Sequence, residues 1–298
     1  MLPLRFYDFF AGAGLATLGL SPTWECVWAN DIDPRKGAVY SANFGEDHFF
    51  LGDVANFKGT DLPNNTQLSW ASFPCQDLSL AGWRRGISAD RSGVFWAFWR
   101  IMCDQFQRGS RPPLIVVENV IGLLHQREGF VGLCEALAAL NMQFGALVID
   151  AKWFVPQSRP RVFVVAVDAE VACDGNFRQE PVPAWTPKSL SDAYSRLPAS
   201  LKSLWRWWNL AVPSGRTHSL AKIIERKPTG VNWHTRKETA YLLSLMNDTH
   251  RAKVREAQGS GKRQIGFVYK RMREEADGKN TIDVQRAEIR FDGLDGAM

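Results

Sequence analysis

The sequence predicts an α/β protein with a doubly wound, mostly parallel sheet, followed by a second, smaller mixed α/β domain. Three observations carry this expectation. Short, almost wholly apolar runs recur through the first 170 residues, as strands covered on both faces do. Helix-compatible stretches alternate with them, the pattern of a parallel sheet flanked by helices. The first run also ends in a glycine-rich turn, Phe10-Ala11-Gly12-Ala13-Gly14-Leu15.

Leu4–Phe10 is the first apolar run, and a helix-compatible stretch follows to Leu20. Trp24–Ala29 is the second and stops at Asn30-Asp31; Pro34 opens the next segment, where proline suits a first helical turn. Asp53, in Gly52-Asp53-Val54, ends the expected third strand. Gln67–Phe73 and Leu114–Val117 are further buried strands. Between them, across Ser92–Phe106, Val94, Phe95, Phe98, Ile101, Met102 and Phe106 recur at helical spacing. Phe144–Ile149 and Arg161–Val167 continue the series. Such sheets bind ligands outside the carboxyl ends of their strands. The polar residues that need explaining stand at those ends: Gly12, Asp31, Asp53, Cys75 and Glu118.

From Val171 the texture changes. Pro181–Pro187 is punctuated like a linker, and Leu204–Asn209 is aromatic and basic together. Trp205, Trp207 and Trp208 read as core tryptophans with Arg206 snorkelling among them. Thr235–Gln258 reads as one amphipathic helix, and basic runs follow at Gly259–Arg263 and Tyr269–Arg273. The expected domains are therefore residues 1–170 and 171–298.

Composition narrows the class. With 298 residues, 45% hydrophobic and 22% charged, the chain can bury a sizeable core, which excludes low complexity and wholesale disorder. The net charge of +5 is uneven: residues 1–170 carry 14 Lys and Arg against 17 Asp and Glu, and the remainder carries 22 against 14. A basic second part suits an anionic polymer, or simply a solvated surface. No apolar run approaches the ~20 residues of a membrane helix. The N-terminus has no basic segment before its apolar stretch, which argues against a secretory signal. The five cysteines, Cys26, Cys75, Cys103, Cys134 and Cys173, include no C-x-x-C pair. Zinc-ribbon and thioredoxin readings therefore fail, no metal is expected, and an odd set of thiols suits the cytoplasm.

Gly12 and Gly14 permit a tight turn and close backbone approach, although Thr17 stands where a G-x-G-x-x-G motif has its third glycine. Asp31 lies 19 positions beyond Gly12, about where an acid accepts from a ribose. Asp53 can accept from an adenine amino group. Each alone is equally an ordinary turn residue; together they describe an adenosine-containing ligand. Phe73-Pro74-Cys75-Gln76 presents a thiol at a strand end, which makes Cys75 a nucleophile candidate. The other four cysteines read as small core residues. Glu118 follows four apolar residues, and desolvation favours a protonated carboxyl unless something compensates. Such an acid can donate to a ring nitrogen while sulfur attacks the ring. Gln157-Ser158-Arg159-Pro160-Arg161 adds two cations before a strand, read either as part of that site or as surface arginines.

In order, FAGAG (Phe10–Gly14), NDID (Asn30–Asp33), GDV (Gly52–Val54), FPCQDLS (Phe73–Ser79), DRSGVF (Asp90–Phe95), ENV (Glu118–Val120) and PQSRPRVFVV (Pro156–Val165) resemble the motif series of the DNA cytosine-5 methyltransferases, bacterial and phage type. The resemblance spans residues 4–168 and implies a Rossmann-like, class I S-adenosylmethionine-dependent fold. It implies S-adenosylmethionine over Phe10, Gly12 and Gly14, Asp31 on the ribose, Ile32 against the adenine, and Asp53 with Val54 at its edge. Pro74 joins the cofactor residues and also borders a pocket of Cys75, Glu118, Arg159 and Arg161 for a cytosine flipped out of double-stranded DNA. Gln76, Ser79, Arg84, Arg85 and Gln157 are the implied nucleic-acid contacts, with Trp83 in the same closing loop. The segment after residue 171 is the implied target-recognition region, and DNA methylation within a restriction-modification system is the implied setting.

The family continues with a second arginine-bearing stretch and a Gly-Asn helix, neither of which matches Arg290–Met298. The expectation is therefore a partial reading frame, a shortened product or one part of a split enzyme, binding cofactor weakly and methylating poorly. The expected partners are double-stranded DNA, with a paired restriction endonuclease or a complementing C-terminal fragment, and the chain itself monomeric. Two other readings stand beside the first: a tRNA cytosine-5 methyltransferase, and a nucleic-acid-binding remnant with little activity.

Overall fold

The computed structural model describes residues 3–74, 93–172, 175–215, 219–225, 227–277 and 280–296. Seven strands make the large sheet: β1 (Leu4–Phe9), β2 (Trp24–Asp31), β3 (Phe49–Leu51), β4 (Leu68–Ala71), β5 (Leu114–Val120) and β6 (Met142–Asp150), then, beyond the two-residue β7 (Gln157–Ser158), β8 (Pro160–Asp168). Their spatial order is β3-β2-β1-β4-β5-β8-β6. The pairings among β1 to β5 are parallel, and β8 runs antiparallel to β5 with Leu114 opposite Val167 and Val120 opposite Arg161. The expected doubly wound, mostly parallel sheet is therefore present. Strand order reverses between β1 and β4, and that reversal opens a crevice at their carboxyl ends.

The two faces of β1 show why its run is apolar throughout. Tyr7 and Phe9 enter one core with Trp28 and with Phe95, Phe98 and Met102 of α3 (Val94–Gln107), while Phe6 enters another with Leu68 and Val116. Helices α1 (Leu15–Leu20) and α2 (Pro34–Phe44) join the strands on the first side of the switch. Pro34 sits in the first turn of α2, and Asp33 caps it by accepting from Arg35 N at 2.9 Å. Further along come α4 (Gly122–His125), α5 (Arg127–Ala139), α6 (Lys188–Ser195) and α7 (Ala199–Leu204).

By packing, the chain divides into Met1–Ile149 with Arg161–Val212, and Asp150–Pro160 with Pro213–Met298. The change of texture at residue 171 marks charge rather than packing. Leu190, Ala193, Leu197, Leu201 and Trp205 share the core of Phe130 and Phe144, which holds residues 171–212 to the first unit. Pro181–Pro187 is no linker, because Trp185 is fully buried, donates Nε1 to Leu210 O at 3.0 Å, and accepts from Val148 N at 2.8 Å. The short β9 (Phe177–Arg178) pairs antiparallel with β10 (Trp207–Trp208). Trp205 is buried between Phe144 and Tyr194, and Arg206 threads out to Gln143, as the core reading of these tryptophans expects.

The second unit contains α8 (Leu220–Ile223), α9 (Arg236–Ser244), α10 (Asp248–Gly259), a hairpin of β11 (Phe267–Asp277) and β12 (Asn280–Arg290), and β13 (Asp295–Gly296), which pairs with β7. The single helix expected over Thr235–Gln258 is two helices. The break lets Met246 enter the small core with Ala287 and Ile289, and frees Leu245 O to accept from Ala287 N at 3.1 Å. Asn247 then restarts the helix by capping His250 N at 3.0 Å. Among the described residues, no helix is long and apolar enough to cross a membrane.

Gly145 in β6 is sterically obligatory, since a Cβ there would stand 1.8 Å from the carbonyl oxygen of Arg206. Backbone cannot swing aside as a side chain can. Gly145→Ala is expected to cost about 3 kcal/mol of stability. Urea unfolding with an unchanged midpoint in this variant would contradict that close approach.

Candidate active site

The loops at the carboxyl ends of the strands are tied together by buried polar side chains. Gly12 has φ +58°, and a Cβ there would meet nothing within 4 Å. The glycine thus serves conformation and leaves open space beside the loop. Its N–H donates to Asp31 Oδ2 at 2.8 Å, while Asp31 Oδ1 accepts from Asp33 N at 2.8 Å. Each oxygen keeps further acceptor capacity. Gly14 makes a different demand: a Cβ would lie 2.3 Å from the Phe44 ring, so α2 packs directly on the loop. Phe10 also takes a positive φ, 58°, with its ring edge-on to Phe73. Ile32, at the end of β2, is 67% exposed, an apolar surface beside Asp31. Asn30 donates to Phe50 O at 2.7 Å and Gly52 O at 2.9 Å, fixing the turn that carries Asp53. Asp53 is exposed and caps a short 3₁₀ turn through Ala55 N at 2.9 Å, whereas the Val54 side chain is buried in the core.

On the other side of the switch, Glu118 of β5 and Arg161 of β8 share one face, and Arg161 Nε lies 3.0 Å from Glu118 Oε1. The carboxylate expected to suffer desolvation therefore has a guanidinium against it. The neighbouring Asn119 is buried and donates to Phe73 O at 3.0 Å. It pins the Phe73-Pro74 turn, whose Pro74 is exposed, to β5. Cys75, Gln76, Ser79, Trp83, Arg84 and Arg85 lie outside the described residues. Arg159 and Gln157 belong to the second unit. There Asp150 accepts from Arg159 N at 2.8 Å and from Ser158 Oγ at 3.2 Å, and the Arg159 side chain is exposed.

Beneath the glycine loop lies a polar cluster that sequence reasoning missed. Thr17 Oγ1 donates to Asp8 Oδ2 at 2.8 Å and contacts Tyr40 Oη at 3.1 Å; Tyr40 also reaches Cys26 Sγ at 3.4 Å and His48 Nε2 at 3.1 Å. Burial pushes Asp8 up to about 7, with hydrogen bonds from Thr17 opposing and the Asp31 charge reinforcing the shift. Its Oδ1 has no hydrogen-bond partner among the described residues. Burial likewise raises the Cys26 thiol to about 11. The available signal was an acid inside an otherwise apolar run, Leu4–Phe10. Asn119 was visible in Glu118-Asn119-Val120, but nothing in the sequence named its partner.

Fold and site together define a doubly wound α/β protein whose ligand edge carries a glycine loop on one side of the switch and a carboxylate–guanidinium pair on the other. The chain belongs to the C-5 cytosine-specific DNA methylase family, whose profile matches residues 4–291. It is similar to Type II methyltransferase M.Bsp6I of Bacillus sp. (strain RFL6), 32% identical over 169 residues, 54% of this chain and 51% of that protein. It is also similar to Type II methyltransferase M.HhaI of Haemophilus parahaemolyticus, 31% identical over 166 residues, 54% and 48% of the respective chains. The chain thus spans about half the length of the curated relatives it matches. The S. pombe Dnmt2 methyltransferase structure shares the fold, with a TM-score of 0.55 and 18% identity, covering 82% of this chain and 68% of that one.

Asp8 gives the fold a pH dependence of definite sign. Its folded value lies above the ordinary carboxylate value, so the native state holds this proton more tightly. The resulting stability is complete below about pH 4 and is lost as pH rises through about 7. Asp8→Asn removes that loss. From pH 4.5 to 8 the wild type should lose about 2–4 kcal/mol relative to the variant, read by urea unfolding of both at each pH. Parallel curves would show that Asp8 is not held protonated.

Proposed function

We propose that the chain is a DNA cytosine-5 methyltransferase acting on a cytosine flipped from double-stranded DNA through a covalent bond from Cys75 to C6. The observation that carries this reading is the Glu118–Arg161 pair, set beside a turn that Asn119 anchors and that leads directly into Cys75. Membership of the family supports it.

The glycine-loop edge fits S-adenosylmethionine. Open space faces Gly12, Ile32 offers an exposed apolar surface for an adenine, and Asp31 retains acceptor capacity for ribose hydroxyls. Phe10, Gly14, Asp53 and the Val54 backbone complete the proposed set, with Pro74 across the crevice. When bound, S-adenosylmethionine supplies the electrophilic methyl group that the activated C5 carbon accepts.

The protein's own residues do the rest. The Cys75 thiolate adds to C6, and the electron pair displaced from the ring is accommodated at N3 by the protonated form of Glu118, which takes its proton from solvent as the cytosine enters. Arg161 holds one Glu118 oxygen and stabilises charge developing toward O2. With C6 substituted, C5 becomes nucleophilic. Once C5 is methylated, water takes its proton, the Cys75 sulfur leaves with the C6–S electron pair, and N3 returns its proton to Glu118, which restores the aromatic ring. Arg159 is proposed to assist at the same pocket, and Gln76, Ser79, Arg84, Arg85 and Gln157 to contact nucleic acid.

We assign DNA reading to the second unit. On its hairpin, exposed Arg271 stacks on Tyr269 at 4.8 Å directly across from Arg286, which is itself paired with Glu275. Like charges opposite one another destabilise a hairpin unless something else uses them. Phosphates would do so, making affinity fall with salt.

The test is trapping on 5-fluorocytosine DNA with S-adenosylmethionine present. A denaturation-resistant adduct should form, be absent in Cys75→Ser, and form roughly 10²–10⁴-fold more slowly in Glu118→Gln. RNA of the same sequence tests the tRNA reading. A wild type that binds DNA without forming an adduct would favour the remnant.

A further inference from the structure

We propose, on the basis of the DNA substrate argued above, that the β11–β12 hairpin sets the preferred DNA sequence, with Arg271 reading a guanine in the major groove. The two strands pair in register over 11 residues each, and side chains alternate between the two faces of such a ladder. Ala287 and Ile289 turn inward to the core with Met246. Tyr269, Arg271, Arg273 and Glu275, with Arg286 and Glu288 opposite, therefore share the other face. A two-stranded ribbon fits the major groove of B-form DNA.

That face is built around a buried acid. Glu288 is 8% exposed, accepts from Arg273 Nε at 2.6 Å, and lies against the Tyr269 hydroxyl. The Tyr269 ring, fixed in this way, carries the Arg271 guanidinium 4.8 Å from its centroid. Arg286, directly across the ladder from Arg271, is held by both oxygens of Glu275. Arg290, farther along the same face, pairs with Asp292. Arg273, Arg286 and Arg290 are thus each engaged by an acid. Arg271 is exposed and makes no ion pair among the described residues, which leaves its guanidinium to a ligand.

The neighbours of Arg271 favour a base over a phosphate. Any acceptor from DNA relieves the opposition of Arg271 and Arg286. Stacking, however, occupies a face of the guanidinium and leaves its N–H donors in one plane at the edge. Two of those donors match O6 and N7 of a guanine, the commonest specific contact in the major groove. Glu275 and Glu288 lie on the same face. They repel a run of phosphates, but they suit the amino groups that cytosine and adenine present in the groove. Phosphates position a protein on DNA, whereas base edges give it specificity.

The test is selection by the full chain from duplexes with a randomised central segment, then binding to the enriched sequence and its single-base variants. The wild type should enrich a sequence with a guanine·cytosine pair that Arg271→Ala no longer requires. At that pair, discrimination should fall roughly 5- to 150-fold while preference elsewhere persists. Arg271→Lys, which keeps the charge without the paired donors, should lose the same discrimination. Melting temperatures should not change, because the side chain is exposed. Equal weakening on every sequence, with a shallower salt dependence, would make Arg271 a phosphate contact and overturn the assignment. Unchanged selectivity in Arg271→Ala, or a wild type that enriches no sequence, would also overturn it. A wild type that fails here yet forms the Cys75 adduct on 5-fluorocytosine DNA refutes the hairpin assignment alone. Absence of both DNA binding and adduct would refute the DNA substrate, and this assignment with it.

Discussion

The bond from Gly12 N–H to the Asp31 carboxylate is the one on which the ligand edge depends. It joins the loop after β1 to the end of β2, and its companion from Asp33 holds the start of α2 to the same carboxylate. The device is then repeated outward. Asn30 reaches across to the turn after β3, and Asn119 reaches from β5 to the turn after β4. Each is a buried polar side chain at a strand end that satisfies the backbone of its neighbour's loop. Buried polar groups must be paired, so these loops have one inexpensive arrangement. A rigid rim of this kind positions reacting groups without help from a ligand.

The strands of the first unit are legible because parallel strands covered on both faces leave apolar runs, and because Gly12, Asp31 and Glu118 interrupt those runs at their ends. Polar cross-links are much less legible. Asp8, Thr17 and Tyr40 come from three elements, and no spacing announces that they meet. The break at Met246 is invisible for a related reason: helix-compatible residues run through it, and the force that opens it comes from Ala287 and Ile289, some forty positions away. Trp185 misleads in the opposite direction, its flanking prolines suggesting a tether while the indole fills a core. At the site, Glu118 and Arg161 are brought together, Val54 turns its side chain into the core, and the residues from Cys75 to Arg85 fall outside the described part.

Two carboxylates near the ligand edge are handled in contrasting ways. Glu118 has a guanidinium against it, whereas Asp8 has only the hydrogen bonds of Thr17 and is driven toward its neutral form by burial. Protonated below about pH 7, the acid under the glycine loop adds no negative charge near Asp31 in that range. The edge thus has an ion-paired half at β5 and β8, whose charges cancel, and a half at β1 and β2 where Asp31 carries the charge.

Strand β8 carries a further implication. Arg161 is its second residue and pairs with Glu118; Asp168 ends it and pairs with Arg111. The two ion pairs grip opposite ends of the β5–β8 ladder, and alternation along a strand places Arg161 and Asp168 on opposite faces. The strand therefore acts as a ruler. A slip of one residue would turn both charges to the wrong side together, so the geometry of Glu118 at one rim and of Arg111 at the other is set by a single register.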